Sequence, residues 1–282
     1  MTNKRTPSFI RPISRFLRRG LARVGYRSKP SFMVIGAQKA GTSAFCAMLA
    51  QHPQIVAPSQ KEPNFFDGIQ IKYGDFLTYH SRFPLPYRLK PNKLTFEGTT
   101  NYLFHPDCPH RIYDYAPKMR LIAILREPVA RAYSGWNYYH SFATSLDPAY
   151  KRLADRRSFE ASIAEEIKRL ELANTYYVKD NSPYHYVARG VYVEQLENYF
   201  RYFPREAILI LNYNDFVQTP EVCFASVCRF LSIDDTFIFT LERRNVTTYE
   251  AEISKRTADM LRAYYAPYNQ RLFTSLGREF AW

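Results

Sequence analysis

Gly36-Ala-Gln38-Lys39-Ala40-Gly41-Thr42-Ser43 is the stretch best equipped for chemistry. Its two glycines let the backbone turn sharply and bring N–H groups against an anion. Thr42 and Ser43 add hydroxyls where a helix would begin, and a helix N-terminus favours negative charge. The result is a phosphate cradle, or else an ordinary glycine-rich turn. It is not the triphosphate form of such a loop, which carries lysine directly after its second glycine; here Thr42 follows Gly41 and the lysine sits earlier, at Lys39. A second set is Arg126 with Ser134, eight residues later. A guanidinium makes charge-assisted bonds to phosphate oxygens and a hydroxyl adds another, although a plain Arg126–Glu127 pair is the alternative. The third is Lys61-Glu62. A carboxylate beside the cradle can take a proton from an alcohol or amine, unless Glu62 is simply a surface acid paired with Lys61.

These residues need elements to position them. Phe32 to Ile35 is a short apolar run of the length of a buried parallel strand, and Ala44 to Ala50 has helix-forming composition. That helix must end near His52, because Pro53 disfavours helical geometry before it. Leu94 to Glu97 reads as a short strand, Arg120 to Arg126 as a central one, and Ala207 to Leu211 as another. Helices are expected over 106–116, from Pro128, from an N-cap at Ser158, over 190–200, over 220–231 and over 261–272. Residues 67–93 read as irregular and partly helical, and 141–157 as loop. The pattern predicts one α/β domain with a mostly parallel central sheet of four or five strands, flanked by helices on both faces. Its ligand site should lie across the strand C-termini.

The chain of 282 residues has a net charge of +13, which favours an anionic partner. Residues 1–30 carry nine Lys or Arg and no acid; the first acidic residue is Glu62. Phe9, Ile13, Phe16, Leu17, Leu21 and Val24 fall at helical spacing among arginines. This basic amphipathic segment suits a peripheral contact with an anionic membrane through residues 9–24, a transit-peptide role, or plain packing on the domain. Cys46, Cys108, Cys223 and Cys228 lack zinc-ligand spacing and read as reduced thiols. No run of about 18 apolar residues is present, and no long apolar core lies near the N-terminus. The expected location is therefore cytoplasmic, with a peripheral place at the inner membrane surface open to residues 1–30. Neither a metal nor a nucleic-acid partner is expected.

The loop Gly36 to Ser43 resembles G-x-x-K-x-G-T-[ST], the first loop of sulfotransferases that use 3′-phosphoadenosine-5′-phosphosulfate (PAPS). His52-Pro53 followed by Lys61-Glu62-Pro-Asn-Phe65-Phe66 is similar to the H-P and K-E-x-x-F-F segments of the glycan (heparan sulfate-type) enzymes. Arg126 and Ser134 match that family's strand-end arginine and helix serine, which bind the 3′-phosphate. Glu97, Thr99 and Tyr102 fit the frame E-x-[ST] with a following Tyr, but Gly98 replaces the lysine that heparan 3-O-type enzymes use near an anionic acceptor. Arg189, Gly190, Tyr192, Gln195 and Leu196 resemble an R-G-x-Y-x-x-Q-L helix lining the acceptor cleft. Near the end, Asn214 stands where the family has an acid, and Gly277-Arg278-Glu-Phe280-Ala-Trp282 is again family-like. No cysteine follows Cys228, so the disulfide-closed loop of the heparan enzymes must be held otherwise, with Arg243, Arg244, Asn245, Ser254, Lys255 and Arg256 nearby.

The resemblance spans 31–282 and sets 1–30 apart as an N-terminal segment. It implies a P-loop-like fold, PAPS as donor and 3′-phosphoadenosine-5′-phosphate (PAP) as product. The acceptor it implies is a hydroxyl or amine of a carbohydrate-like or small molecule. Gly36, Gln38, Lys39, Ala40, Gly41, Thr42 and Ser43 would cradle the phosphosulfate, and Lys39 would also stabilise the leaving phosphate. Glu62 would be the general base, where small-molecule sulfotransferases use histidine; spacing alone leaves His52, His105 and His110 open. Lys61 and Tyr102 would neighbour the acceptor, and Arg189 and Tyr192 the acceptor or the cofactor, unless those two cap and pack their helix. With Lys39, the amides and the arginine supplying positive charge, no metal is needed. Two rival readings remain. A P-loop kinase-like enzyme predicts lysine after Gly41 and a Mg²⁺-binding acid at a strand end. A non-catalytic basic binding module leaves Glu62 unexplained.

Overall fold

The computed structural model describes residues 10–89, 91–177, 184–240 and 252–282, with side chains from residue 17 onward. Four parallel strands, β1 (Phe32–Gly36), β2 (Phe96–Gly98), β3 (Arg120–Leu125) and β4 (Ile208–Asn212), form one sheet in the order β2-β1-β3-β4. Their continuous apolar runs follow from burial on both sides: Phe32 to Ile35 and Leu121 to Leu125 are sealed from solvent. Ile55 makes one parallel bridge to Leu94 beside β2. The β1–β3 register shifts between Val34 and Gly36, where the chain leaves the sheet for the glycine-rich loop.

The helices around this sheet are α1 (Ile10–Arg23), α2 (Thr42–Leu49), α3 (Phe76–His80), α4 (Cys108–Tyr115), α5 (Pro128–His140) and α6 (Pro148–Arg152). Beyond them run α7 (Phe159–Ala173), α8 (Tyr192–Phe200), α9 (Tyr213–Gln218), α10 (Pro220–Leu231) and α11 (Lys255–Leu276). Ser158 caps α7 by accepting the Ala161 N–H at 3.2 Å, as its sequence position predicts.

Two expectations change. The segment 141–157 is not all loop: α6 forms there because Asp147 caps it, accepting the Ala149 N–H at 2.8 Å, and Pro148 pre-sets its first turn. The last helix is longer than 261–272. Ser254 starts it by accepting the Thr257 N–H at 3.2 Å, and Gly277, with φ of 65°, ends it in the left-handed conformation. Its buried stripe of Ala258, Leu261, Tyr265 and Leu272 carries the helix through Pro267. Among the described residues, no helix is long and apolar enough to cross a membrane.

Candidate active site

The glycine-rich loop joins β1 to α2. Ala37 donates its N–H to the Ile124 carbonyl at 2.8 Å, which ties the loop to β3. Gly41 has φ of 74°, and a Cβ there would lie 2.9 Å from the Tyr213 ring, so glycine is required on both backbone and steric grounds. Gly41 is also the N-cap of α2, and no side chain caps that helix. The first-turn amides of a helix have no intrahelical acceptor. Here they open onto the loop, which is the arrangement that binds phosphate. Lys39 itself takes a left-handed backbone, φ 70°, uncommon outside glycine.

The other wall is the end of β3 and the start of α5. Arg126 does not pair with Glu127. Its Nη1 donates to the Lys39 carbonyl at 3.0 Å and its guanidinium lies 5.0 Å over the Tyr213 ring. The Glu127 carboxylate instead caps α5, accepting from the Val129 and Ala130 amides. Ser134 lies on α5 and is buried. Lys39 Nζ sits 4.5 Å over the Tyr138 ring. Burial, then the charges of Arg126 and Arg131, pull its ammonium down to about 8. Arg131 and Tyr138 escaped sequence analysis. They flank Ser134 on α5 at spacings of three and four residues, so a helical projection from Ser134 was the available signal.

The Lys61 ammonium connects the carboxylate to this cradle. Its Nζ is 2.9 Å from Ser43 Oγ and 2.8 Å from Glu62 Oε1. Glu62 therefore pairs with Lys61 and also lies at the cradle, so the two readings of that residue coexist. Thr100 Oγ1 approaches the same carboxylate oxygen at 3.5 Å. Glu62 and Asn64 have φ of 55° and 49°. Such backbone persists when its surroundings over-determine it, and it clusters at functional sites. Here the Glu62 N–H donates to the Gly98 carbonyl at 3.0 Å, and the Phe65 and Phe66 N–H groups donate to Tyr102 Oη at 2.9 and 3.2 Å.

Tyr102, expected beside the acceptor, is thus an interior strut with its side chain sealed. Removing its hydroxyl would leave two buried amides unpaired, at a cost of about 1–3 kcal/mol. Behind it, Tyr79 and Thr99 donate to the Glu97 carboxylate. Burial pushes Glu97 up to about 7, against the opposing pull of the Tyr102, Tyr79 and Thr99 hydroxyls. Tyr192 is likewise interior: its hydroxyl donates to the Arg126 carbonyl at 2.8 Å, positioning that residue rather than facing an acceptor. Arg189 stacks 4.4 Å over Phe104, and its Nη2 donates to Asn101 Oδ1 at 2.8 Å. A Cβ on Gly98 would lie 2.9 Å from Cys46 Sγ and 3.9 Å from the Lys61 stem. A lysine at that position would collide with what packs there.

The histidines left open take other roles. His52 is buried, with its ring nitrogens at the Asp234 carbonyl (2.9 Å) and the Gln54 N–H (3.1 Å). His110 pairs with Asp114 within α4 at 3.3 Å, and His105 Nδ1 accepts the Asp107 N–H. At the end of β4, Asn212 stands where a triphosphate enzyme would place a metal-binding acid. Its side chain caps α9 and accepts from Trp282 Nε1 at 3.4 Å, docking the C-terminal segment. Among the described residues, no group of three or more His, Cys, Asp or Glu is placed to hold a metal. Arg243, Arg244 and Asn245 lie outside the described residues, while Ser254, Lys255 and Arg256 open α11.

Comparison with known proteins agrees with this geometry. The sulfotransferase domain family matches residues 29–255. Mouse heparan sulfate glucosamine 3-O-sulfotransferase 6 is 26% identical over 281 residues, spanning 92% of this chain and 75% of its own length. Mouse bifunctional heparan sulfate N-deacetylase/N-sulfotransferase 3 is 30% identical over 217 residues, 75% of this chain and 23% of that protein. The solved sulfotransferase from Alicyclobacillus acidocaldarius superposes with a TM-score of 0.72 at 25% identity, over 90% of this chain and 98% of its own. The strand-loop-helix cradle on a parallel sheet is thus a sulfotransferase's P-loop-like fold, and the chain belongs to the sulfotransferase family of enzymes.

Proposed function

We propose that this enzyme moves a sulfuryl group from PAPS to a hydroxyl or amine of a carbohydrate-like or small-molecule acceptor by in-line displacement. The observation that carries the reading is the Lys61 ammonium, which holds the Glu62 carboxylate against Ser43 of the anion cradle. The residues fit the donor. Gly41 leaves no room for a side chain, and the uncapped start of α2, Lys39, Arg126 and Ser134 line the same end of the sheet. Gly36, Gln38, Lys39, Ala40, Gly41, Thr42 and Ser43 would hold its 5′ end, and Arg126 with Ser134 its 3′-phosphate. The donor supplies a sulfuryl group already activated by a phosphate leaving group. Glu62 takes the proton from the acceptor, and Lys39 with the loop amides stabilises the charge that grows on the leaving oxygen. Lys61 and Arg189 border the acceptor side.

The relatives named for heparan sulfate glucosamine support a sugar acceptor. The packing around Gly98, which leaves out a family cation, supports one less anionic than heparan. The four cysteines are free buried thiols, which supports a cytoplasmic location. The test is transfer of radiolabelled sulfur from PAPS to a panel of polysaccharides, simple glycosides and small alcohols or amines. Labelling of any sugar that requires Glu62 supports the proposal. Labelling of none of the panel overturns it.

Lys39 gives the cradle a pH dependence. The ammonium form binds the anion, and in the free protein that form is lost as pH rises through about 8. PAP affinity should therefore fall by up to about tenfold per pH unit above that point, with net proton uptake on binding. Calorimetry in buffers of different ionisation enthalpy between about pH 7 and 9 reads both effects. A Lys39→Met variant should bind more weakly and lose the dependence.

A further inference from the structure

α1 packs on the domain in an unusual orientation. A helix docked on a globular core normally turns its apolar stripe inward. Among the described side chains of α1, Ala22 is buried and Leu21 half-buried, and Arg18 Nη1 reaches the Phe83 carbonyl at 3.4 Å beside α3. Leu17 on the helix and Val24 in the turn that follows its last residue remain 60% and 78% exposed. Tyr26, just beyond the helix, is exposed as well. Arg19, Arg23, Arg27 and Lys29 are exposed along the same segment, and no acid precedes Glu62 in the chain. The described end of the helix and the turn after it thus show solvent apolar side chains beside cations. That pattern suits the headgroup boundary of an anionic bilayer, where apolar side chains enter the interface and Lys and Arg meet lipid charge.

We propose that the end of α1 and the turn after it form a peripheral anchor that seats Leu17 and Val24 into an anionic lipid surface, with the exposed Arg23 and Arg27 paired to its headgroups. The inference does not depend on the sulfotransfer reading. The full chain is tested by co-sedimentation with vesicles of phosphatidylcholine alone and of phosphatidylcholine mixed with phosphatidylglycerol. Binding should require phosphatidylglycerol and weaken with salt, since screening shortens the reach of the charges. The Leu17→Glu/Val24→Glu pair should reduce binding by about tenfold or more, with PAP binding and melting temperature unchanged. Arg23→Gln/Arg27→Gln should weaken it too. Failure to bind the anionic vesicles, or equal binding by the Leu17→Glu/Val24→Glu variant, overturns the proposal. So does a change from dimer to monomer in that variant without vesicle binding, which would assign these side chains to a second copy of the chain.

Discussion

Glu62→Gln is expected to lower the turnover of sulfuryl transfer by about 10²–10⁴-fold, the range for losing a positioned general base. The substitution keeps the size and most contacts of the side chain and removes its ability to accept a proton. The Lys61 ammonium keeps its bond to Ser43 Oγ, so the cradle retains its shape. The loop geometry is set by the backbone bonds of Glu62 to Gly98 and of Phe65 and Phe66 to Tyr102. PAP affinity should therefore change by no more than about twofold, roughly 0.4 kcal/mol. Steady-state transfer assays alongside PAP titration separate the two quantities. A variant that keeps full turnover would remove Glu62 from the chemistry.

The second large effect is expected at Arg126. Arg126→Ala should weaken PAP by about tenfold or more, at least about 1.4 kcal/mol. Two losses combine. In the proposed role the guanidinium would be the charge offered to the 3′-phosphate beside Ser134, and charge-assisted bonds to phosphate are among the stronger hydrogen bonds. Its Nη1 also holds the Lys39 carbonyl, so the alanine variant releases the left-handed residue at the centre of the cradle. Arg126→Lys should not rescue it fully, because an ammonium lacks the planar fork that serves the phosphate and the carbonyl together.

The parts of this site that follow local rules were legible in the sequence. Phe32 to Ile35 and Arg120 to Leu125 are continuous apolar runs, and a strand buried on both sides has no other pattern. Gly41 and Ser158 mark helix starts by their residue types. What escaped was the direction of side chains. Tyrosine carries an apolar body with a polar tip, so it serves an interior strut as well as a ligand site. The resemblance placed Tyr102 and Tyr192 at the acceptor, whereas both hold backbone from within the core. The Arg126–Lys39 contact joins residues 87 positions apart and follows only from β1 and β3 being neighbours in the sheet. The Arg131 charge beside Lys39 was hidden for the same reason. The exposure of Leu17 on α1 depends on which face α3 covers, and helical periodicity alone does not say.

The central claim is that this cradle takes the adenosine bisphosphate of a sulfuryl donor and not a metal-bound triphosphate. Calorimetric titration of the full chain with PAP, and separately with ATP and Mg²⁺, tests it directly. The account predicts that PAP binds more tightly than ATP with Mg²⁺, and that Arg126→Ala loses about tenfold or more of that affinity. Preference for ATP with Mg²⁺, or no binding of PAP, would contradict it.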